Sequence, residues 1–235
     1  MPTEIIYTSD ALRIRHGGNG PVLESPVDTR RFHPASGRPP RPFTVGRMSR
    51  DIRSKHHEED PALWRALAYA GCRVRIMGGT CLAAELAGTP NIELLPAGTE
   101  DAATFLRSLD CFIYRTGRGW FESYGRVVAE AMATGLPVIV GRPGGYVDYV
   151  TDGMHGRLFE TTQDTAAAVL SLQRNRALGA RYGAAGRALA RRLNEERIPR
   201  RTIELLVGSA AATLASTRRS ADDLPDIALA PVVRA

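Results

Sequence analysis

From residue 43 onward the chain alternates two kinds of segment, and that alternation limits the folds open to it. Six short apolar runs stand at 43–46 (FTVG), 74–78 (VRIMG), 92–95 (IELL), 111–114 (CFIY), 137–141 (PVIVG) and 156–160 (GRLFE). Between them lie stretches of helical pattern: DPALWRALAYAG, TCLAAELAG, TEDAATFLRSLD, SYGRVVAEAMATG and GGYVDYVTDG. A helix after each short strand carries the chain back to the end it started from, so successive strands join in parallel as βαβ units. Gly71, Gly88 and Gly135 stand where three of these helices should end, at the position that favours a left-handed backbone. The expected fold class is α/β, a doubly wound, Rossmann-like parallel sheet of about six strands with its ligands at the C-terminal strand ends.

Residues 1–42 do not share the alternation. IIY and PVLESP read as two short strands around a helix at 9–16, and HPASGRPPRP (33–42) reads as a linker. After residue 161 the pattern is helical and rich in Ala and Arg; Pro199 interrupts it and RTIELLVGSAAATLAS resumes it. The expected organisation is a remnant of a preceding half plus linker at 1–42, a Rossmann-like domain at 43–205, and a helix end with a disordered tail at 206–235.

Composition removes several function classes. No run approaches the eighteen apolar residues of a membrane span, and the first residues lack the basic and apolar regions of a secretory signal. Cys72, Cys81 and Cys111 are scattered and odd in number, which reads as free thiols in a reducing, cytoplasmic compartment. No Cys/His spacing suggests zinc, so no metal is expected. The net charge of +6 suits an anionic partner: nucleic acid, anionic lipid or a phosphorylated small molecule. Arginines dispersed along the chain, with little aromatic interleaving, argue against nucleic acid and leave peripheral membrane contact open.

One basic residue differs from the rest. Of 31 basic residues, Lys55 is the single lysine, in VGRMSRDIRSKHHEED. Arginine and lysine are not interchangeable where a compact charge is needed. An ordinary charged loop is the plainer account of Arg47 and Lys55. His56 and His57 read as part of a solvated, helix-capping stretch, His155 as structural, and Trp64 and Trp120 as core and loop-packing aromatics.

Residues 119–156, GWFESYGRVVAEAMATGLPVIVGRPGGYVDYVTDGMHG, carry the most chemistry. Glu122 precedes a helix start near Ser123–Gly125, and Glu130 lies inside that helix. Eight residues of helix would set two carboxylates about 80° and 12 Å apart, enough to hold different parts of one long ligand. The helix N-terminus offers free N–H groups and a positive dipole end, which suits a phosphate, and Gly125 admits close approach. Read singly, Glu122 is also a charge favoured by the dipole and Glu130 a solvated face residue.

The segment resembles the C-terminal domain of retaining, nucleotide-sugar-dependent glycosyltransferases of the GT-B fold, the family 4 or group 1 enzymes. That family shows E-[ST]-[FY]-G-x-x-x-x-E-A-M-A-x-G-x-P-V-[IV], then G-G and D-G-x-x-G. Here the pattern is Glu122, Ser123, Tyr124, Gly125, Glu130, Ala131, Met132, Ala133, Gly135, Pro137, Val138 and Ile139, then Gly144, Gly145, Asp152, Gly153 and Gly156. Similarity extends over residues 26–205, and SPVDTRRFHP resembles the interdomain GVDxxxFxP element.

The resemblance implies roles by position. Glu130 would bind the donor ribose and Glu122 the transferred sugar, with Ser123 and the backbone of Tyr124, Gly125, Arg126 and Val127 on the sugar and diphosphate. Arg47, in the VGR that includes Gly46, and Lys55 would hold the diphosphate. The family's lysine follows its arginine by about six residues and precedes a glycine; here the spacing is eight and His56 follows. Arg47, Lys55 and Glu122 are thus the expected catalytic residues. Two cations and a helix N-terminus can stabilise charge on the departing diphosphate without a metal or other cofactor. GT-B enzymes close their site between two domains, and this chain has room for the donor-binding half. The implied function is transfer of a sugar from a nucleotide-sugar to an acceptor, with a second chain supplying the acceptor half. The alternatives are a non-catalytic nucleotide-sugar-binding subunit and a truncated gene product.

Overall fold

The computed structural model describes residues 5–37 and 40–208. All six apolar runs become strands: β1 (Thr44–Met48), β2 (Arg73–Met77), β3 (Ile92–Leu95), β4 (Cys111–Tyr114), β5 (Val138–Gly141) and β6 (Gly156–Phe159). Every neighbouring pair is parallel, in the order β3-β2-β1-β4-β5-β6. The helices between them are α2 (Asp60–Tyr69), α3 (Ala83–Leu86), α4 (Ala102–Arg107) and α5 (Arg126–Ala133), preceded by α1 (Asp10–Arg15) and followed by α6 (Thr162–Arg174) and α7 (Arg176–Arg192). The fold is a Rossmann-like α/β sheet.

Strand periodicity sorts the core into two layers. In β4, Phe112 and Tyr114 enter one cluster and Cys111 and Ile113 the other; in β5, Val138 and Val140 oppose Ile139. The first layer packs α4 and α5 through Leu106, Val128 and Met132, and the second packs α2 and α6 through Leu63, Trp64, Leu67 and Val169. Burying each such aliphatic side chain contributes about 1.5–3 kcal/mol. Strands covered on both faces read as continuous apolar runs, which is why they stand out in the sequence.

One helical pattern is not realised. GGYVDYVTDG forms a single 3-10 turn, Gly145–Asp148. Gly145 donates its N–H to the Glu122 carbonyl at 2.7 Å, and a Cβ there would lie 2.0 Å from the Ser123 oxygen. Tyr149 donates its hydroxyl to the carbonyls of Tyr124 and Gly125. The segment therefore spends its donors on the 122–125 loop instead of on a helical ladder.

The two N-terminal strands shrink to one bridge, Tyr7 with Val22. The helix between them is α1, capped by the Ser9 hydroxyl, which accepts from Leu12 N at 3.1 Å. Val27 and Phe32 enter the first core layer. Residues 193–197 widen into a π turn, and the first compact unit ends at Ile198. In the second unit, residues 199–208 are helical. The tail expected to be disordered from Ser216, and linker residues 38 and 39, lie outside the described residues.

Candidate active site

Sheet order reverses at β1 and β4, whose following helices leave toward opposite layers. Such a switch point opens a crevice at the C-terminal strand ends. Two segments border it: residues 49–59 after β1 and 115–125 after β4.

Lys55 and Glu122 meet there. Lys55 Nζ lies 2.6 Å from Glu122 Oε2, and the two side chains are 9% and 19% exposed. Tyr114 Oη donates to the same carboxylate oxygen at 2.7 Å, and Lys55 Nζ sits 4.5 Å from the centre of the Trp120 ring. Burial raises the Tyr114 phenol far above its ordinary range despite nearby Arg47, so it remains a donor. The lone lysine is thus fixed in space by a carboxylate and an aromatic face.

Arg47 departs from expectation. Its side chain is 1% exposed, and its guanidinium is committed inside the protein. Nη1 donates to Asp60 Oδ2 at 3.0 Å and to the Arg115 carbonyl at 2.9 Å; Nη2 donates to the Lys55 carbonyl at 2.5 Å. Asp60, 1% exposed, also accepts from Arg115 Nε at 2.7 Å and from His57 N at 3.0 Å. Arg47 therefore holds the backbone of the lysine loop and does not face the crevice. Gly46 is a second correction. It lies inside β1, where a Cβ would fall 2.2 Å from the Arg75 carbonyl oxygen. Strand packing explains that glycine, not ligand approach.

The remaining expected residues form the turn into α5. Gly125 is the N-cap at φ +77, and no side chain caps the helix. A Cβ there would also meet the Tyr146 ring at 2.6 Å. The left-handed backbone at Gly125 turns α5 back under the crevice and leaves first-turn N–H groups open to a ligand. Ser123 is exposed, Tyr124 is buried 5.0 Å from the Tyr149 ring, and Val127 is half-buried. Glu130, 6% exposed, accepts from Arg126 Nε at 3.1 Å. Burial raises the Glu130 carboxyl above its ordinary range, and the Arg126 charge offsets part of that.

The stretch HHEED is solvated only in part: Glu58 and Glu59 are exposed, with Glu59 the N-cap of α2, but His56 and Asp60 are buried. His56 is 1% exposed and its Nε2 lies 2.8 Å from the Gly78 carbonyl, to which it must donate. Burial first, then the Arg47 charge, lowers its pKa to about 4. His155 is structural: buried, its Nδ1 accepts from Thr151 N at 3.1 Å. Trp64 is fully buried. Sequence reasoning missed Asp60, Arg115 and Tyr114. A charge directly after the apolar run CFIY was the available signal for Arg115. Among the described residues no group of His, Cys, Asp and Glu is arranged to hold a metal ion, and no helix is long and apolar enough to cross a membrane.

Comparison with known proteins bears on this arrangement. Residues 29–189 match the family model described as glycosyl transferases group 1. A GDP-mannose-dependent alpha-mannosyltransferase of Corynebacterium glutamicum is 26% identical over 156 residues, 57% of this chain and 34% of that protein. A D-inositol 3-phosphate glycosyltransferase of Nocardioides is 37% identical over 86 residues, 36% of this chain and 19% of that protein. The chain thus spans between a fifth and a third of these relatives. The crystal structure of Anabaena HepE in complex with UDP and glucose superposes with TM-score 0.72 at 18% identity, covering 88% of this chain and 64% of HepE.

Proposed function

The chain belongs to the glycosyl transferases group 1 family, and on that premise we propose that it is the donor-binding half of a retaining glycosyltransferase. One observation carries this reading: the single lysine is fixed 2.6 Å from Glu122, three residues before the uncapped N-terminus of α5. In the proposed complex the donor diphosphate lies between Lys55 Nζ and the backbone N–H groups of Ser123–Val127, the turn into α5 and its start. Negative charge grows on the diphosphate as the glycosidic bond breaks, and in this reading both groups offset it. Glu122 then accepts from a hydroxyl of the transferred sugar, and Glu130 from the ribose hydroxyls. Arg47 acts through the Lys55 backbone. No step needs a metal, because a cation and a helix dipole supply the charge.

Residues 43–205 form the donor domain in this reading, and residues 1–42 the end of a preceding half with its linker. The matched relatives are three to five times longer than the region they share with this chain. That length difference also favours a second reading, a nucleotide-sugar-binding subunit that becomes active only with a partner. Relatives named for GDP-mannose and crystallised with UDP define the ligands to try. Calorimetric titration with GDP and UDP, repeated on Glu130→Ala, tests the donor site. Binding of neither nucleotide, or binding unchanged by the substitution, overturns it. Transfer that appears only when an acceptor domain is added selects the second reading.

A further inference from the structure

A second cleft opens beside the crevice, between the C-terminal ends of β4 and β5. It holds about 160 Å³, room for roughly five waters at about 30 Å³ each. Its walls include Arg15 from α1, Arg115, Arg118, Trp120 and Phe121 from the loop after β4, and Arg142 after β5. His57 and Phe159 also border it, which places it on the α2 and α6 side of the sheet. Glu130 belongs to α5, on the other side.

The charges in this cleft are not balanced. Arg15, Arg118 and Arg142 are exposed, and among the described residues no side-chain hydrogen bond or ion pair holds their guanidinium groups. Glu58 and Glu59 feel the charge of Arg118, and Asp152 that of Arg142, yet none is within ion-pair distance of them. Glu160 is the one carboxylate on the cleft wall. Arg15 is instead stacked 5.0 Å from the centre of the Phe121 ring, which keeps its head at the rim.

An independent observation comes from the buried wall. Arg115 is 5% exposed; its Nε is taken by Asp60 and its Nη1 by the Thr162 hydroxyl at 3.1 Å. Its Nη2 has no hydrogen-bond partner. A buried guanidinium N–H left over beside three arginines that make no side-chain hydrogen bond or ion pair is a donor set without an acceptor.

We propose that this cleft binds a phosphate group carried by the sugar acceptor. Its assignment to the acceptor rests on the glycosyltransferase reading; the anion site does not. Arginine forks match phosphate oxygens in pairs, and the Trp120 and Phe121 rings offer apolar faces to the molecule that bears the phosphate. Trp120 is also the ring against which Lys55 rests, so the cleft and the proposed diphosphate position share one wall. An acceptor held by its phosphate would lie next to the sugar it receives.

The phosphate can sit on a soluble sugar or on a lipid headgroup, and two titrations separate these. In one, glucose 6-phosphate is added while Trp120 fluorescence is followed. In the other, vesicles of phosphatidylglycerol in phosphatidylcholine are sedimented with the protein. Each is repeated on an Arg118→Gln/Arg142→Gln double variant, together with GDP and UDP titrations. We expect the double variant to lose at least tenfold in affinity for one of the two phosphate sources and to keep nucleotide affinity within twofold. Equal binding of both sources by parent and variant overturns the proposal. A parallel fall in nucleotide affinity overturns it too, since the cleft would then belong to the donor. Phosphate binding that survives where neither nucleotide binds leaves the anion site standing and removes the glycosyltransferase reading.

Discussion

Lys55 and Glu122 are 67 residues apart in the chain and 2.6 Å apart in space. The pair joins the loop after β1 to the loop after β4 across the switch point, and each residue neutralises the charge that the other would offer a ligand. Glu122→Gln should therefore hold or raise the affinity for a nucleoside diphosphate, because Lys55 is released. The same change should lower affinity for the nucleotide-sugar, whose hydroxyl loses its acceptor. Lys55→Ala and Lys55→Arg should both weaken nucleoside diphosphate binding, the former by at least tenfold. Titration of each variant with both ligands reads these outcomes. The pair is partly open to water, so its contribution to stability should stay near ~1 kcal/mol.

Asp60 anchors the same loop from inside. It is the shared carboxylate of Arg47 and Arg115, all three at least 95% buried. Removing it strands two guanidinium groups away from water. Asp60→Ala should cost about 3–5 kcal/mol of folding stability, far more than loss of the Lys55 pair. Urea unfolding monitored by circular dichroism gives the difference directly.

Glu130 should show the opposite balance. Its carboxylate is buried with one partly exposed arginine for company, and that burial disfavours its charge. Glu130→Gln removes the charge while keeping the shape. Melting temperature should hold or rise, and affinity for GDP or UDP should drop by at least tenfold. A protein kept unstable at a binding residue is the expected signature of function over packing.

His56 sets a pH limit on the fold. Its pKa falls from 6.5 to about 4 on folding, so the unfolded chain binds the extra proton first. The stabilisation is complete above pH 6.5 and is lost as pH falls from there toward about 4, by about 3 kcal/mol in total. His56→Gln can still donate to the Gly78 carbonyl and does not titrate. Urea midpoints measured between neutral and acidic pH should fall steeply for the parent chain and remain flatter for the variant.

The central strands β4 and β5 were legible because both faces are covered and their runs carry no charge, whereas β2, β3 and β6 stood out despite Arg73, Arg75, Glu93 and Arg157, because their remaining positions are apolar. That residues 122–130 form a turn leading into a helix was legible because one local stretch carries both. Lys55 was singled out by composition, as the one lysine among 31 basic residues, and by its place after Arg47 in the family pattern. What escaped was the buried polar network. Asp60 stands just before Pro61 at a helix start, where an acid is ordinarily a dipole partner, and its two arginines lie 13 and 55 residues away. Nothing local distinguishes an arginine that will face a ligand from one that will be walled in, so Arg47 was placed in the crevice. Gly46 failed for a similar reason: the atom that forbids its Cβ belongs to the neighbouring strand.

The segment before the sheet has a consequence for how the chain can be shortened. Ser9 donates its hydroxyl to the Ser123 carbonyl at 2.5 Å, and Asp148 accepts from Ala11 N at 3.1 Å. The loop that carries Glu122 is thus strapped to residues that precede the linker. A protein cut back to begin at Thr44 would keep every strand and still lose the strap. The proline-rich stretch marks a visible seam in the sequence, but the mechanical boundary of the site lies upstream of it.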